Sequence, residues 1–171
     1  RSIDALALPM GVSENTLSYT SGNVKIDGTL THPMSGGDTF PIVLLLPDLG
    51  PFDRNGDRLG LQTGMLREIA RSLAQAGIGS YRFDLRGTGK SEGSYGDLSL
   101  SSLLTDARIA AFMLRGVPHA DQSKIYALGI GVGGTVASLL ASQGTVAGLI
   151  TFGAPAYAPD HVALDEMARR A

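Results

Sequence analysis

From residue 41 onward, segments that have the pattern of a β-strand alternate with segments that have the pattern of an α-helix. The apolar run FPIVLLLP at residues 40–47 is typical of a strand that is covered on both faces. In residues 61–76 and 99–116, leucine, isoleucine and alanine instead repeat at helical spacing. Because strands that are joined through helices make right-handed crossovers onto a parallel sheet, this alternation predicts an α/β fold with a mostly parallel sheet.

The sheet is predicted to have about six strands and to begin with an antiparallel hairpin. The two hairpin strands alternate apolar and polar side chains around the turn Ser21-Gly22-Asn23, at residues 15–20 and 24–32. The other elements that the patterns predict are strands at 40–47, 78–84, 124–130 and 145–153 and helices at 61–76, 99–116 and 134–142. We expect residues 1–171 to form a single domain and residues 154–171 to begin a lid or a connecting helix.

The composition fits a globular α/β protein, with 43% apolar and 18% charged residues, and argues against several other classes. The net charge of −2, without any basic block, does not indicate a nucleic-acid partner or an anionic membrane. The absence of cysteine excludes disulfides, thiolate metal sites and cysteine catalysis, and no apolar run is long enough to span a bilayer. We therefore expect a soluble protein. Because residue 1 is Arg and not Met, loss of a targeting segment stays open, and with it both a cytoplasmic and an exported location.

Three glycine-rich loops follow predicted strands, at the edge where open α/β sheets place their ligands. These loops are PDLGPFDRNGD at 47–57, FDLRGTGKSEG at 83–93 and LGIGVGG at 128–134. The third loop leads directly into a helix pattern. A strand, a glycine-rich turn and a helix in that order can hold a nucleophile or bind a phosphate.

In this order and at this spacing, the three loops resemble those of the α/β-hydrolase superfamily, in particular bacterial serine esterases and peptidases that carry a Gly-Pro-x-Asp-Arg-x-Gly loop. That motif is found here at residues 50–56. The matching D-x-R-G-x-G-x-S motif consists of Asp84, Arg86, Gly87, Gly89 and Ser91. The resemblance implies an α/β-hydrolase fold that lacks its last strands, and a function related to serine carboxylesterases and acyl hydrolases.

The resemblance makes LGIGVGG the nucleophile elbow G-x-S-x-G, in which a serine stands on a tight turn before a helix. The frame fits residues 129–133, and the position expected for the serine is Gly131. We therefore expect this chain alone to be catalytically inactive. The resemblance also implies that the backbone amides of Leu49 and Val132 form the oxyanion hole. Such amides do not depend on the missing side chain, so a small acyl or carboxylate ligand is expected, with a purely structural turn as the alternative.

The acid and the histidine of a hydrolase triad are expected after the elbow in the chain, on turns that follow later strands. We expect His32, at the end of a hairpin strand, His119, in the loop before the fifth strand, and His161, after the sixth, to be structural or solvated. Asp160 and His161 do not form a catalytic pair in this interpretation, because neighbouring side chains diverge and no nucleophile is available to them. Arg54 is a candidate substrate-binding residue, and a tie between loops is the alternative. No cofactor is expected.

A metal site is not expected either. Asp48, Asp53 and Asp57 are spread along the first loop without the spacing of a calcium-binding loop.

The third loop also spells the dinucleotide fingerprint G-x-G-x-x-G at Gly129, Gly131 and Gly134. That fingerprint belongs to the first strand-helix unit of its domain, and an acidic residue is expected at the end of the next strand. Here several strands precede the loop, and the next strand ends in Thr151-Phe152-Gly153. Both observations disfavour dinucleotide binding.

The last predicted strand, residues 146–152, is apolar and lacks the charges and prolines that protect sheet edges. We expect a second chain that supplies the remaining strands, a second copy that pairs through this edge, or a remaining half of the same protein that lies beyond residue 171. Three functions stay open at this point. The chain is a degenerate hydrolase that binds a small acyl or carboxylate ligand, a disabled or partial chain of an active Ser-His-Asp enzyme, or a non-catalytic interaction module.

Overall fold

The computed structural model of the protein describes residues 7–34 and 38–154. Its elements in chain order are β1 Val12–Ser21, β2 Val24–Pro33, β3 Phe40–Leu46, α1 Met65–Gln75, β4 Gly79–Phe83, α2 Leu100–Leu114, β5 Ala120–Ile130, α3 Val132–Ser142 and β6 Gly148–Phe152. A short 3-10 turn, Tyr95–Asp97, precedes α2.

The strands form one sheet in the order β1-β2-β4-β3-β5-β6. The hairpin β1-β2 is antiparallel and joins β4 in antiparallel register, whereas β4, β3, β5 and β6 all run parallel. In the centre of the sheet, Leu44 of β3 lies between Tyr81 of β4 and Ala127 of β5. The predicted six-stranded, mostly parallel sheet with an N-terminal hairpin is confirmed.

Helices cover both faces of the sheet, and the side chains of β3 point alternately to one face and to the other. Ile42, Leu44 and Leu46 belong to the larger core, together with apolar residues of α2 and α3. Val43 and Leu45 belong to a smaller core on the other face, with Leu66 and Ala70 of α1. The continuous apolar pattern of this strand therefore reflects burial on both faces.

Several element boundaries differ from those that the sequence patterns predict; β1, for example, begins at Val12 rather than at residue 15, and β6 at Gly148 rather than at residue 145. Helix α1 begins at Met65 rather than at residue 61, because the backbones of Arg58 and Leu61 bond to each other in a tight turn. Strand β5 begins at Ala120, where it already pairs with Phe40. Helix α3 begins at Val132, so the elbow glycines after it lie in the first helical turn.

Strand β6 forms the open edge of the described sheet next to β5. Its apolar side chains Leu149, Ile150 and Phe152 are 41%, 53% and 57% exposed. The predicted lid or connecting helix at 154–171 lies, except for Ala154, outside the described residues. Within residues 7–34 and 38–154, no helix has the length and the apolar character that a membrane crossing requires.

Candidate functional site

The turn between β5 and α3 has the geometry of a strand-to-helix elbow. Gly131 adopts φ 55° and ψ −123°, a backbone conformation that residues with a side chain rarely take. Its amide donates to the Phe152 carbonyl of β6, and its carbonyl accepts from Gly134 in the first turn of α3. Gly129 and Gly133 lie so close to neighbouring backbone that a side chain would collide with it. Close packing of the elbow therefore accounts for these two glycines.

The amides that were predicted to form the oxyanion hole converge on one atom of this chain. The amides of Leu49 and Val132 donate to Oδ1 of Asp48 over 2.8 and 2.9 Å. One donor lies in the loop that follows β3 and the other is the first residue of α3, and they meet because β3 and β5 are neighbours. Their role as an oxyanion hole stays a prediction, but the structure brings them to one point.

The Asp48 carboxylate fills the space beside Gly131. A Cβ atom at position 131 would lie 2.3 Å from both Cγ and Oδ1 of Asp48 and 2.5 Å from Oδ2. The helix N-terminus and the two amides favour a negative charge there, and the Asp48 side chain is exposed to solvent. Sequence reasoning considered Asp48 only as a metal ligand and missed this contact. The available signal was its position directly before Leu49, at the end of an apolar strand.

The hydroxyl of Tyr95, which lies in the short 3-10 turn before α2, is a polar group that is free to form a further hydrogen bond. Its hydroxyl is buried and has no hydrogen-bond partner within the part of the chain that the structure describes. Burial raises the pKa of the Tyr95 hydroxyl, and the negative charge of Asp48 raises this pKa further. The hydroxyl therefore stays protonated near neutral pH. It can donate a hydrogen bond, and it is close enough to Asp48 to feel the charge of that carboxylate.

Arg54 lies in a buried ion-pair network below the first loop. Its guanidinium donates to Asp84 through Nε over 3.1 Å and through Nη2 over 2.5 Å, to Asp27 through Nη2 and to Thr29 through Nη1. Its backbone amide also donates to Asp84 over 2.7 Å. These contacts are those of a tie between the first two loops and the hairpin. Substrate binding by Arg54 stays a prediction.

The second loop is held to the hairpin and to α2 in a similar way. Arg86 donates to both carboxylate oxygens of Asp106 over 2.7 and 2.8 Å, and also to Ser21. The Ser91 hydroxyl donates to the Asp84 carbonyl and accepts from the Asp27 amide. Arg86 and Ser91 therefore hold this loop in place at the carboxyl edge of the sheet.

A charged cleft of about 540 Å³ lies beside Arg54, between the hairpin, the first loop and α1. Arg71 and Arg82 both donate to Oε1 of Glu14 there, over 3.3 and 3.1 Å. Burial alone raises the pKa of Glu14, but Arg82 and Arg71 together hold this pKa below its usual value.

This shift predicts a pH dependence of stability. A carboxyl whose pKa is lower in the folded protein stabilises it above the unfolded pKa and loses that effect as the pH falls through the folded pKa. The free energy of unfolding is thus expected to begin to fall as the pH drops through 4.5, the ordinary pKa of Glu14. Urea denaturation at several pH values measures this, and Glu14→Gln is expected to make the pH dependence less steep. An equally steep profile in Glu14→Gln would contradict the assignment.

Two of the three histidines lie at the opposite end of β3 from the elbow. The His32 ring stacks on Phe40 with centroids 5.6 Å apart, and both line a cavity of about 270 Å³ with His119. His161 and Asp160 lie outside the described residues. In the first loop, Asp53 accepts from the amides of Asn55 and Asp57, so it braces the loop. Across residues 7–34 and 38–154, no three histidine, aspartate or glutamate side chains are grouped as a metal site.

Comparison with protein families gives one match, to the family described as Hydrolase_4, serine aminopeptidase S33, over residues 57–170. No curated protein sequence matches the chain significantly.

Several solved structures share the fold. A hypothetical protein from Pseudomonas aeruginosa has a TM-score of 0.71 and 18% identity, over 88% of this chain and 45% of that one. The α/β hydrolase GrgF from Penicillium has a TM-score of 0.67 and 20% identity, over 81% and 45%. Est1E from Butyrivibrio proteoclasticus, solved with ferulic acid bound, has a TM-score of 0.64 and 19% identity, over 78% and 50%. The chain thus spans about half the length of these solved relatives.

Proposed function

We propose that this chain, which belongs to the serine aminopeptidase S33 family of α/β-hydrolases, binds a small carboxylate or acyl ligand at its elbow. The proposal does not include Ser-His-Asp catalysis by this chain. The ligand's anionic oxygen binds where Asp48 Oδ1 lies, between the amides of Leu49 and Val132. The observation that carries the proposal is that both amides already bind a carboxylate oxygen, at 2.8 and 2.9 Å.

Electrostatics support a preference for anions at this position. Two N–H groups converge on one oxygen, and one of them opens the helix α3, whose N-terminus carries partial positive charge. A carboxylate and the oxyanion of an acyl group present the same chemistry to such donors. A neutral amide of the same shape lacks the charge and is expected to bind more weakly.

The proposed lack of catalysis follows from the position of the nucleophile. Gly131 has no side chain that can attack a carbonyl carbon, so no acyl-enzyme can form at this position. Ser138, the next serine along the chain, lies inside α3, and its hydroxyl donates to the Gly134 carbonyl over 2.9 Å. A p-nitrophenyl acetate assay is therefore expected to show no turnover above the uncatalysed rate.

The binding proposal is tested by titrating the ¹⁵N-labelled protein with sodium acetate. Saturable chemical-shift changes are expected at the amides of Leu49 and Val132. Acetamide has the same shape without the charge and serves as the control, for which much smaller changes are expected. Changes that do not saturate, or equal responses to acetate and acetamide, would contradict the proposal.

Substitution of Tyr95 tests whether its hydroxyl serves a ligand. In Tyr95→Phe, the free energy of unfolding is expected to stay equal or to rise by up to about 1 kcal/mol, because a buried hydroxyl without a partner is costly. The affinity for acetate is expected to fall by up to about tenfold, through loss of a hydrogen bond to a charged group. Urea denaturation and the amide titration measure the two effects. Loss of stability without loss of affinity would indicate a structural role only.

A second candidate function, assembly through β6, is favoured by the exposure of Leu149, Ile150 and Phe152 on the sheet edge. We propose that a strand of another polypeptide continues the parallel sheet there. The support is that apolar side chains are exposed on both faces of β6, and that the solved relatives are about twice as long as this chain. Light scattering at increasing concentration is expected to show association that Ile150→Lys reduces. A discrete dimer that Ile150→Lys dissociates would identify a second copy as the partner, and a monomer at all concentrations would exclude a second copy and leave a different chain. Association that Ile150→Lys leaves unchanged would contradict the role of this edge.

A further inference from the structure

We infer that Asp48 is an internal ligand of the elbow, which competes with an external carboxylate for the amides of Leu49 and Val132. This inference rests on the proposed function and concerns the regulation of the same site. The site is closed while the Asp48 carboxylate lies against Gly131 and open when the side chain turns toward solvent. Occupancy by a ligand is then set by how well the ligand displaces this residue.

The contacts of Asp48 show why its side chain can leave the site. The carboxylate is held by two backbone amides, and its side chain is exposed to solvent. By contrast, Pro47 and Leu49 on either side of it are buried. A rotation about the Cα–Cβ bond therefore moves the carboxylate into water while the backbone of the loop keeps its place. The two amides stay directed at the same point.

Competition follows because one space serves both the internal and the external group. The Asp48 carboxylate lies where a side chain at position 131 would begin, with Cγ and Oδ1 both 2.3 Å from the expected Cβ. An external carboxylate that bonds to both amides needs the position of Asp48 Oδ1. Two carboxylates cannot share that position, since like charges at contact distance repel.

The size of the effect depends on the fraction of open molecules. An apparent dissociation constant equals the intrinsic value divided by the fraction of molecules whose site is open. A tethered group also acts at an effective concentration of about millimolar or higher. If the Asp48 carboxylate occupies the site in about nine of every ten molecules, only about one in ten is open to acetate. Removal of the carboxylate is then expected to strengthen acetate binding about tenfold.

The experiment compares wild type with Asp48→Ala and Asp48→Asn, and uses Glu68→Ala as a control. Glu68 is an exposed acid on α1, so its loss makes the same change in net charge away from the elbow. Amide hydrogen exchange of Leu49 and Val132 is measured first, without any ligand. In Asp48→Ala, exchange of both amides is expected to be at least about tenfold faster, since each loses its acceptor. In Asp48→Asn, which keeps an acceptor oxygen, exchange is expected to be intermediate, and in Glu68→Ala unchanged.

Acetate titration of the same proteins separates this inference from the proposed function. About tenfold tighter binding in Asp48→Ala than in wild type and Glu68→Ala supports competition. Faster exchange without saturable acetate binding in any of the proteins would overturn the proposed function while the internal ligand stands. Equal affinity in wild type and Asp48→Ala would overturn the competition while the binding function stands. Unchanged exchange in both Asp48 variants would overturn the internal ligand itself.

Discussion

In the Gly131→Ser variant, the free energy of unfolding is expected to fall by about 2–4 kcal/mol. A side chain at φ 55° is strained, and its Cβ atom collides with the Asp48 carboxylate at 2.3 Å. The new serine thus forces Asp48 out of the elbow and breaks its hydrogen bonds to Leu49 and Val132. Urea denaturation measures the loss. No esterase activity is expected in the variant, because the substitution adds only a serine hydroxyl.

A double-mutant cycle with Asp48→Ala isolates the collision from the strain. In the Asp48→Ala background, Gly131→Ser is expected to cost only the backbone strain, about 1–3 kcal/mol. The coupling between the two positions is therefore expected to be about 1–2 kcal/mol. Gly144→Ser is the matched control, since Gly144 also has a positive φ, 66°, but has open space around it. Equal costs of Gly131→Ser in both backgrounds would contradict the overlap of position 131 with Asp48.

Replacement of Arg54 by methionine is expected to lower the free energy of unfolding at pH 7 by about 3–5 kcal/mol. Asp84 and Asp27 are 1% and 6% exposed, and without the guanidinium both buried carboxylates lose the cation that bonds to them. Burial alone raises the pKa of Asp27. In the wild type, hydrogen bonds from Ser18 and Arg54 nevertheless hold this pKa below its usual value. Urea denaturation measures the loss.

The pH dependence of stability gives a second test of Arg54→Met. A carboxyl with a lowered pKa, as Asp27 has in the wild type, makes the fold more stable as the pH rises, and the variant is expected to show the opposite trend. Burial without the cation raises the pKa of a carboxyl, and such a group destabilises the fold as the pH rises. The difference in stability between variant and wild type is thus expected to be larger at pH 7 than at pH 5. Arg108→Met is the control, because Arg108 forms an exposed bond to Gln143, and it is expected to cost less than about 1 kcal/mol. A small, pH-independent loss in Arg54→Met would contradict the role of this network.

Arg54→Lys tests whether the fork of the guanidinium matters in addition to its charge. Arg54 donates to three acceptor side chains at once, and the single ammonium of lysine does not reproduce this geometry. Lysine is therefore expected to recover only part of the stability that methionine loses.

The order of the elements along the chain was predictable from local patterns, and the position of the elbow from the resemblance of the three loops to those of α/β-hydrolases. The hydrophobic pattern of each element reflects which of its faces are buried. Strand β3 is buried on both faces, so its apolar residues form a continuous run in the sequence. The glycines of the elbow were recognisable for a similar reason, since close backbone contacts exclude side chains at Gly129 and Gly133. The boundaries of α1 and β5 were less well predicted, because a tight turn and the pairing with Phe40 decide them.

The amino-acid sequence by itself determined the alternation of strands and helices and a glycine-rich turn between β5 and α3, because each depends on residues that are close in the chain. Only the tertiary structure decided which side chain lies beside Gly131. Asp48 and Val132 are 84 positions apart, and they meet because β3 lies beside β5 and both strands end at the same edge of the sheet. The tertiary structure likewise decided that Arg54 bonds to Asp27 and Asp84, since a charge in the sequence does not show which opposite charges the fold brings within reach.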